Sequence, residues 1–515
     1  MAAKVASFRM TGGLNVDVLP HLVPDNQWTG VSNIGFRNGI ATGVRGYTLY
    51  GGAMAVAVPE HLVAMSAGES FLLGLAPSLV FAAGDPIAAV VNKVIEQVQP
   101  GLAIHVAATP AAWAGVAPQQ LGQWTGGLIN GVPFFNHPGY TPVDLRAGAP
   151  FLEFAGWAAA FGAIKAQAVR AYREFYVALG QHVGGISFDP DVVNWSARAA
   201  PTTAPAVWVP AAGNAAGNAL LVGGGDVVDA AALGDTLMIY KRRSIWSMRY
   251  IGGNYIFDFQ KVLDGVGALS QNCIVAVGRQ HVFLTEDDVL AWTGAGSPSS
   301  LLDGKGRKLI TGVINETNYR NAFLLHLPRQ HEVWACFPTL STHVGTAIVF
   351  DLQTGHVGRR QLTLTAHGTF LRERTAVGPG PYGQTILASR NGATLGLVPV
   401  DSGTVALNGG SLPAAVARFG MDFGKPTRSK TVRWVRPWIT SADATPVSVT
   451  VSMGGSMRPD EAPTFSPSVA YITGTNDKAD VFAQGRFLHL NMTVTNGTAF
   501  TVAGFDIGYE EGGEE

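Results

Sequence analysis

At 515 residues the chain exceeds one ordinary core, and at roughly one domain per 150 residues it would divide into about three. Charged residues make up 14%, against about 25% in an average soluble domain, and glycine contributes 64 positions. With 47% hydrophobic residues, this composition excludes disorder over most of the length and fits turn-rich β-structure that shares its surface with partner subunits. A net charge of −1 with no long Lys/Arg run argues against a tight grip on nucleic acid.

Gly13 to Tyr47 reads as short strands and tight turns. Asp85 to Val98 leaves two readings open: a short helix with Asp85 as N-cap and Pro86 first, or two strands around Asn92-Lys93. Phe154 to Gly180 starts Ala/Gly-rich, as a helix would, but Tyr172 to Leu179 alternates; a strand is expected there. Candidate strands then follow in close order at Thr236–Tyr240, Ile245–Tyr250, Tyr255–Phe259, Asn272–Val277, His281–Thr285, Val289–Trp292, Ala322–Leu327, Glu332–Phe337, Ala347–Asp351 and His356–Leu362. A further pair flanks Asn391-Gly392. Groups of these meanders recur at roughly 35–50 residues, the blade period of a β-propeller, whose radial blades leave only short edges.

From about Ala415 the strands lengthen, at Pro446–Met453, Phe487–Thr495 and Phe500–Gly508, with Asn496-Gly497 as a hairpin signal. This reads as a β-sandwich module. The expected class is all-β, a β-propeller-like body with an added β-sandwich. The expected layout is residues 1–50 as an arm and first strands joining the propeller, 51–230 as blades with an inserted β-module or loops, 231–412 as blades, and 413–515 as the sandwich.

No catalytic signature stands out: there is no P-loop, no G-x-S-x-G elbow and no H-E-x-x-H. His326, His331 and Glu332 could converge on a metal across a hairpin, but strand-end histidines account for them. Asp189 and Asp191 could act as paired acids, and a Pro190 turn explains them equally. Asp287-Asp288 reads as an acidic turn, Gly223-Gly224-Gly225 as a loop, and Lys241-Arg242-Arg243 as a solvated hairpin turn. No sialidase-type Ser-x-Asp-x-Gly-x-Thr-Trp turn occurs. Trp28, Trp124, Trp195, Trp246, Trp292 and Trp334 are read as core rather than sugar platforms. Cys273 and Cys336 make no metal cluster or disulfide framework and are read as small buried hydrophobes in a reducing compartment. The first residues lack the apolar region of a secretory signal, and no uncharged apolar run is long enough to span a bilayer; synthesis in a cytoplasm is expected. Catalytic residues, cofactor and metal are therefore all expected to be none.

Several stretches, taken in order, resemble one family. They are Gly13-Leu14-Asn15, Asn33 to Tyr47, Trp124 to Gly131 with Phe135-Asn136, and Val193 to Ser196. Next come Leu233 to Gly294 with Gly265 to Ser270, Glu332 to Pro338 with Ala347 to Asp351, and Gly485-Arg486-Phe487 through Gly504-Phe505-Asp506. The set resembles the tail nozzle (tail hub, or DNA-stabilisation) proteins of short-tailed bacteriophages. Residues 52–120 and 365–415 match least. The resemblance implies a virion protein in a homohexameric ring at the distal tail. Its partners would be a tail adaptor ring, fibres or spikes, and packaged double-stranded DNA passing through the lumen without sequence preference. It carries no catalytic residues. The competing readings are a receptor-binding or adhesin propeller and a polysaccharide-degrading propeller enzyme.

Overall fold

A computed structural model describes residues 3–44, 46, 61–64, 72–76, 94–98, 104–107, 124–145, 151–183, 186–328, 330–340, 344–370, 384–391, 394–399, 406–407, 410–441, 444–495 and 499–514. Among these residues the architecture is nearly all β, with one short α-helix, Trp157–Phe161. No helix is long and apolar enough to cross a membrane.

Six successive four-stranded antiparallel meanders run along the described chain. Blade one comprises His61–Ala64, Leu72–Ala76, Val94–Val98 and Ile104–Ala107. Blade two is Thr125–Ile129, Val132–Asn136, Val143–Leu145 and Phe151–Glu153; blade three is Lys165–Tyr172, Phe175–Val183, Ile186–Trp195 and Gly217–Leu220. Blade four is Val227–Leu233, Thr236–Lys241, Ser244–Tyr250 and Phe257–Asp264, and blade five is Ile274–Val277, Gln280–Leu284, Val289–Trp292 and Ser299–Ser300. Blade six is Phe323–Leu327, Glu332–Phe337, Val344–Asp351 and Val357–Phe370. The first strand of each blade lies against the first strand of the next, and Val357–Phe370 returns to His61–Ala64. This radial arrangement is a β-propeller-like body, as the strand period implies.

Apolar faces of neighbouring blades fuse into shared cores. Phe134, Phe154 and Tyr176 join blades two and three, and Val177, Leu179, Trp195, Ile239 and Phe257 join three and four. Tyr240, Ile245, Phe283 and Trp292 join four and five, and Val282, Leu284, Leu324 and Val333 join five and six. Blades three, four and five thus bury both faces against neighbours, which is why their strands read as dense apolar runs.

The C-terminal module is a two-sheet sandwich. One sheet orders Gly30–Ser32, Ala414–Met421, Phe487–Val494, Ser448–Ser456 and Thr464–Phe465. The facing layer is built on Arg428–Ser441 laddered to Phe500–Glu514. Between them lie Trp28, Val432, Val435, Val449, Val451, Leu488, Leu490, Met492 and Phe505, all fully or almost fully buried. Residues 1–50 were expected to join the propeller, yet their ladders run mainly to this sandwich. Lys4–Arg9 pairs with Gly504–Tyr509, Gly30–Ser32 with Ala415–Ala417, and Ile40–Gly43 reaches Thr501 and Val502. Among the described residues of the arm, Ile34 ladders with blade six at Arg359 and Asn33 bonds Gln361 beside it, so one continuous sheet carries the propeller into the sandwich.

Two local expectations are refined. The Ala-rich start of Phe154–Gly180 is one helical turn, because Gly156 and Gly162 at φ of 73° and 55° bracket Trp157–Phe161; strands follow it, as alternation implied. Of the two readings at Asp85–Val98, Val94–Val98 is a strand; residues 85–93 lie outside the described residues. Gly392, Asn496 and Gly497 lie outside them as well.

Candidate functional site at the propeller axis

The charged side chain most deeply engaged at the centre is Arg170, on the first strand of blade three. Its guanidinium grips Asp229 of blade four in a fork, Nε to Oδ1 at 2.7 Å and Nη2 to Oδ2 at 2.6 Å. Nη2 also donates to Asn272 Oδ1 at 3.0 Å, and Nη1 to the Gly126 carbonyl of blade two at 3.2 Å. Asn272, which leads into blade five, donates its backbone N–H to Asp229 Oδ2 at 2.8 Å and its Nδ2 to the Trp124 carbonyl at 2.8 Å. Its own carbonyl accepts the Leu324 N–H of blade six. A residue of blade five touches blades two and three only across the centre, so this network spans the axis. Burial opposes the Arg170 charge, and Asp229 outweighs it, holding the guanidinium charged. Bidentate and multiply bonded, with Asp229 buried and Arg170 20% exposed, the pair serves as a crossbar. Among the described residues this network bridges the inner strands of blades two, three and four and the lead into blade five.

A fully buried cation ends the second strand of blade four, Thr236–Lys241. Lys241 is fully buried rather than solvated, as its basic run had suggested. Its Nζ meets Asp191 Oδ1 at 2.6 Å and also donates to the Leu221 carbonyl. The turn that carries it is clamped from two sides. Arg243 N–H donates to the Gly224 carbonyl at 2.8 Å, and Ala268 N–H to the Lys241 carbonyl at 3.1 Å. Any Cβ at Gly267 would lie 1.8 Å from that same Lys241 oxygen, so only glycine permits the approach. The Gly223-Gly224-Gly225 run is a loop with all three φ values positive.

The residues singled out from sequence for chemistry serve structural ends. Asp189 Oδ1 accepts the Asp191 N–H at 3.3 Å, and Asp191 is committed to Lys241; the two carboxylates do not face a shared cleft as a pair. Asp288 accepts Val289 N–H and Ser300 Oγ, each at 2.8 Å, and pairs with Arg307 at 2.9 Å; burial raises its pKa despite these bonds. Asp287 Oδ1 accepts Thr285 Oγ1 at 3.1 Å inside the same turn. His326 lies on a blade-six strand, its pKa lowered chiefly by burial, and His331 occupies the following turn at φ 56°. Glu332 accepts Trp334 Nε1 at 2.8 Å, while Arg360 stacks 4.1 Å over the Trp334 ring. Among the described residues no group of three His, Cys, Asp or Glu is gathered to hold a metal. Cys273 and Cys336 are buried free thiols; burial pushes Cys273 up to about 12 and Cys336 higher still, so neither is a ready nucleophile.

Five of the six tryptophans are core: Trp28, Trp124, Trp195, Trp292 and Trp334. Trp246 is half-buried, with the Lys261 ammonium 5.9 Å from its ring. Sequence reasoning passed over Asp229 and Asn272, and took Arg170 only as a sign of helix. The available signal was an unpaired charge inside each apolar run, Ala168-Val169-Arg170-Ala171 and Val227-Val228-Asp229-Ala230.

No family model and no curated protein matches the chain. Solved structures with distant likeness include PorZ of the type-IX secretion system of Porphyromonas gingivalis. It is 8% identical at a TM-score of 0.38, over 84% of this chain and 46% of that one. Others are the N-terminal domain of Nup159, at 9% and 0.35 over 71% of this chain and 98% of that one, and the AfRom2 CNH domain, at 11% and 0.35 over 69% and 98%. The chain thus spans less than half the length of PorZ.

Proposed function

We propose that this chain is a structural virion protein, a wall segment of the distal tail nozzle of a short-tailed phage, and not an enzyme. Six copies would form a closed ring below an adaptor, retain packaged DNA and conduct it during ejection. The observation that carries the reading is the bridged axis. The propeller centre, where an enzyme of this shape would hold its chemistry, is instead occupied by a saturated crossbar between blades. Any conduit must then lie between subunits, which is the geometry of a ring.

Two further features support it. Low charge suits a lumen that DNA must slide through, since each fixed phosphate contact would slow transit. Large apolar side chains remain uncovered on the blades, among them Phe188 at 65% and Tyr255 at 81% exposure, with Leu220, Val222 and Ile251. Ring closure needs such patches, one surface meeting a different one next door. Antibody labelling of intact particles tests the reading: label at the tail tip is expected, and label over the capsid shell contradicts it. The free chain is expected to remain monomeric until adaptor is added.

A further inference from the structure

The turn between the third and fourth strands of blade four presents an aromatic knob. Arg249 and Tyr250 stand opposite Asp258 and Phe257, and residues 251–256 close the hairpin beyond them. The N–H groups of Ile251 and Gly252 both donate to the Ile256 carbonyl, at 2.9 and 3.1 Å. Gly252 and Gly253 turn at φ of 68° and 67°, and Ile256 follows at φ 48° and ψ −56°. A β-branched residue is sterically strained in that conformation. The strain sorts two neighbours: Ile256 packs against the core shared by blades three and four, while Tyr255 is left 81% exposed and Ile251 52%. Rings stiffen the base of the turn. Tyr250 lies 5.7 Å from Phe257 and 6.1 Å from Phe175, with the Arg173 guanidinium 5.0 Å from its ring. A rigid, strained turn that holds a large ring in water is built as an anchor for docking.

The sandwich carries a matching hollow. An open groove of about 350 Å³ runs beside Lys4–Arg9. That strand ladders to Gly504–Tyr509 on one side, and among the described residues no strand pairs with its other side. The groove is walled by Phe8, Phe423 and Tyr509, with ring centroids 5.6 Å apart for Phe8 and Phe423 and 4.7 Å for Phe423 and Tyr509. Its ionisable lining is Arg9, Asp25 and Tyr509. Arg9 is exposed, and the Asp25 carboxylate is 76% exposed at 3.5 Å from Arg418. The knob bears the same two charge types at its base, Arg249 and Asp258, 3.5 Å apart and 64% and 49% exposed. Each surface thus offers one arginine and one aspartate, so that Asp258 can meet Arg9 and Arg249 can meet Asp25 across a contact. Such exposed pairs add little energy and serve to fix orientation.

We propose that the Tyr255 turn of one copy inserts into the Phe8–Phe423–Tyr509 groove of the next copy, and that this is the repeating contact of the assembly. The proposal rests on the ring reading above and names the surfaces that close it. The knob belongs to the propeller and the hollow to the sandwich, so the two surfaces differ, as a head-to-tail contact requires.

The test uses the full chain, incorporated into particles in the host. Cys273 and Cys336 are buried, so an added thiol pair reports alone. The chain carrying both Tyr255→Cys and Ser7→Cys is treated with a short bis-maleimide. A ladder of chain multiples up to the hexamer is expected, with monomer only from either single variant. Wild-type particles treated with an amine cross-linker serve as reference. An amine ladder without a thiol ladder would overturn this contact and leave the ring standing; no ladder from either reagent would overturn the ring itself. A link from the single variant Tyr255→Cys to a different particle protein would give the knob another partner and overturn the proposal. Tyr255→Ala, an exposed position, is expected to melt as the wild type does and to enter particles at least about tenfold less well, as loss of an interface anchor implies. Incorporation at the wild-type level would contradict the proposal.

Discussion

The propeller and the sandwich hold themselves together in opposite ways. In the propeller, ionic groups sit at the centre: Arg170 and Asp229 cross the axis, and Lys241 is buried against Asp191. In the sandwich, the centre is aliphatic and aromatic, and acid–base pairs lie at its rim. There Glu511 meets Lys4 at 2.7 Å and Lys425 at 2.6 Å. The sandwich does bury two cations, Arg418 and Lys430, but it surrounds them mostly with carbonyls. Arg418 donates to the Pro20 and Val23 carbonyls, and Lys430 to those of Lys425 and Arg486. The difference follows from geometry. Two facing sheets can interdigitate apolar side chains throughout, whereas the first strands of radial blades converge on an axis. Directional bonds can fix their angles there, and a buried fork specifies one arrangement of blades.

The contrast is most sharply broken at the crossbar. Asp229→Ala leaves the largely covered Arg170 without its counter-ion and is expected to cost about 3–5 kcal/mol in chemical denaturation. Replacing both partners by apolar residues, Arg170→Met with Asp229→Leu, should recover much of that loss; if it does not, the network stabilises beyond its pairing. Next in size are two tryptophans. Trp334→Ala in the blade-six core should cost about 3–5 kcal/mol. Trp246→Ala, half-exposed, should cost only about 1 kcal/mol. Equal losses at the two sites would mean that Trp246 is covered.

On the sandwich side the test is pH. Burial lowers His489 to about 4, beside Ser456 Oγ at 3.1 Å. The unfolded chain therefore binds the extra proton first, and stability should fall as pH drops from the ordinary histidine value of 6.5 toward 4. The residue is only 4% exposed, so little of this is screened and the loss is about 2–3 kcal/mol. His489→Gln should flatten that limb of a thermal-melt series. Smallest is the rim. Hydrogen bonds from Lys4 and Lys425 pull Glu511 to about 2, so its contribution is present above the usual carboxylate range and disappears only as pH falls through about 2. Glu511→Gln should remove this acid-side protection and make the melt less sensitive to salt, with little change at neutral pH in high salt.

Much of the local architecture was legible because turn residues punctuate it. Glu332–Phe337 and Val289–Trp292 are strands with the ends that sequence alone assigned, bounded by the His331 and Asp287-Asp288 turns. What escaped was long-range. Nothing near Lys4–Arg9 signals that its partner lies at Gly504–Tyr509, because a ladder records its register in both strands and its address in neither. The two central charges escaped for a related reason: Arg170 and Asp229, 59 positions apart, look like solvent-facing members of alternating strands until the blades bring them together. Lys241 misled in the same way, since a basic triplet at a hairpin reads as solvated unless the Asp191 that meets it is known. The candidate acids Asp189 and Asp191 were visible as a pair, but their separate uses in a turn and in an ion pair were not.

The claim beneath all of this is that the DNA path runs between copies of the chain, with each propeller closed along its own axis. An electron cryomicroscopy reconstruction of the tail tip of intact particles tests it most directly. The account predicts six copies around one shared channel, with continuous protein density across every propeller centre. DNA density threading a propeller, or this chain located away from the tail, would contradict it.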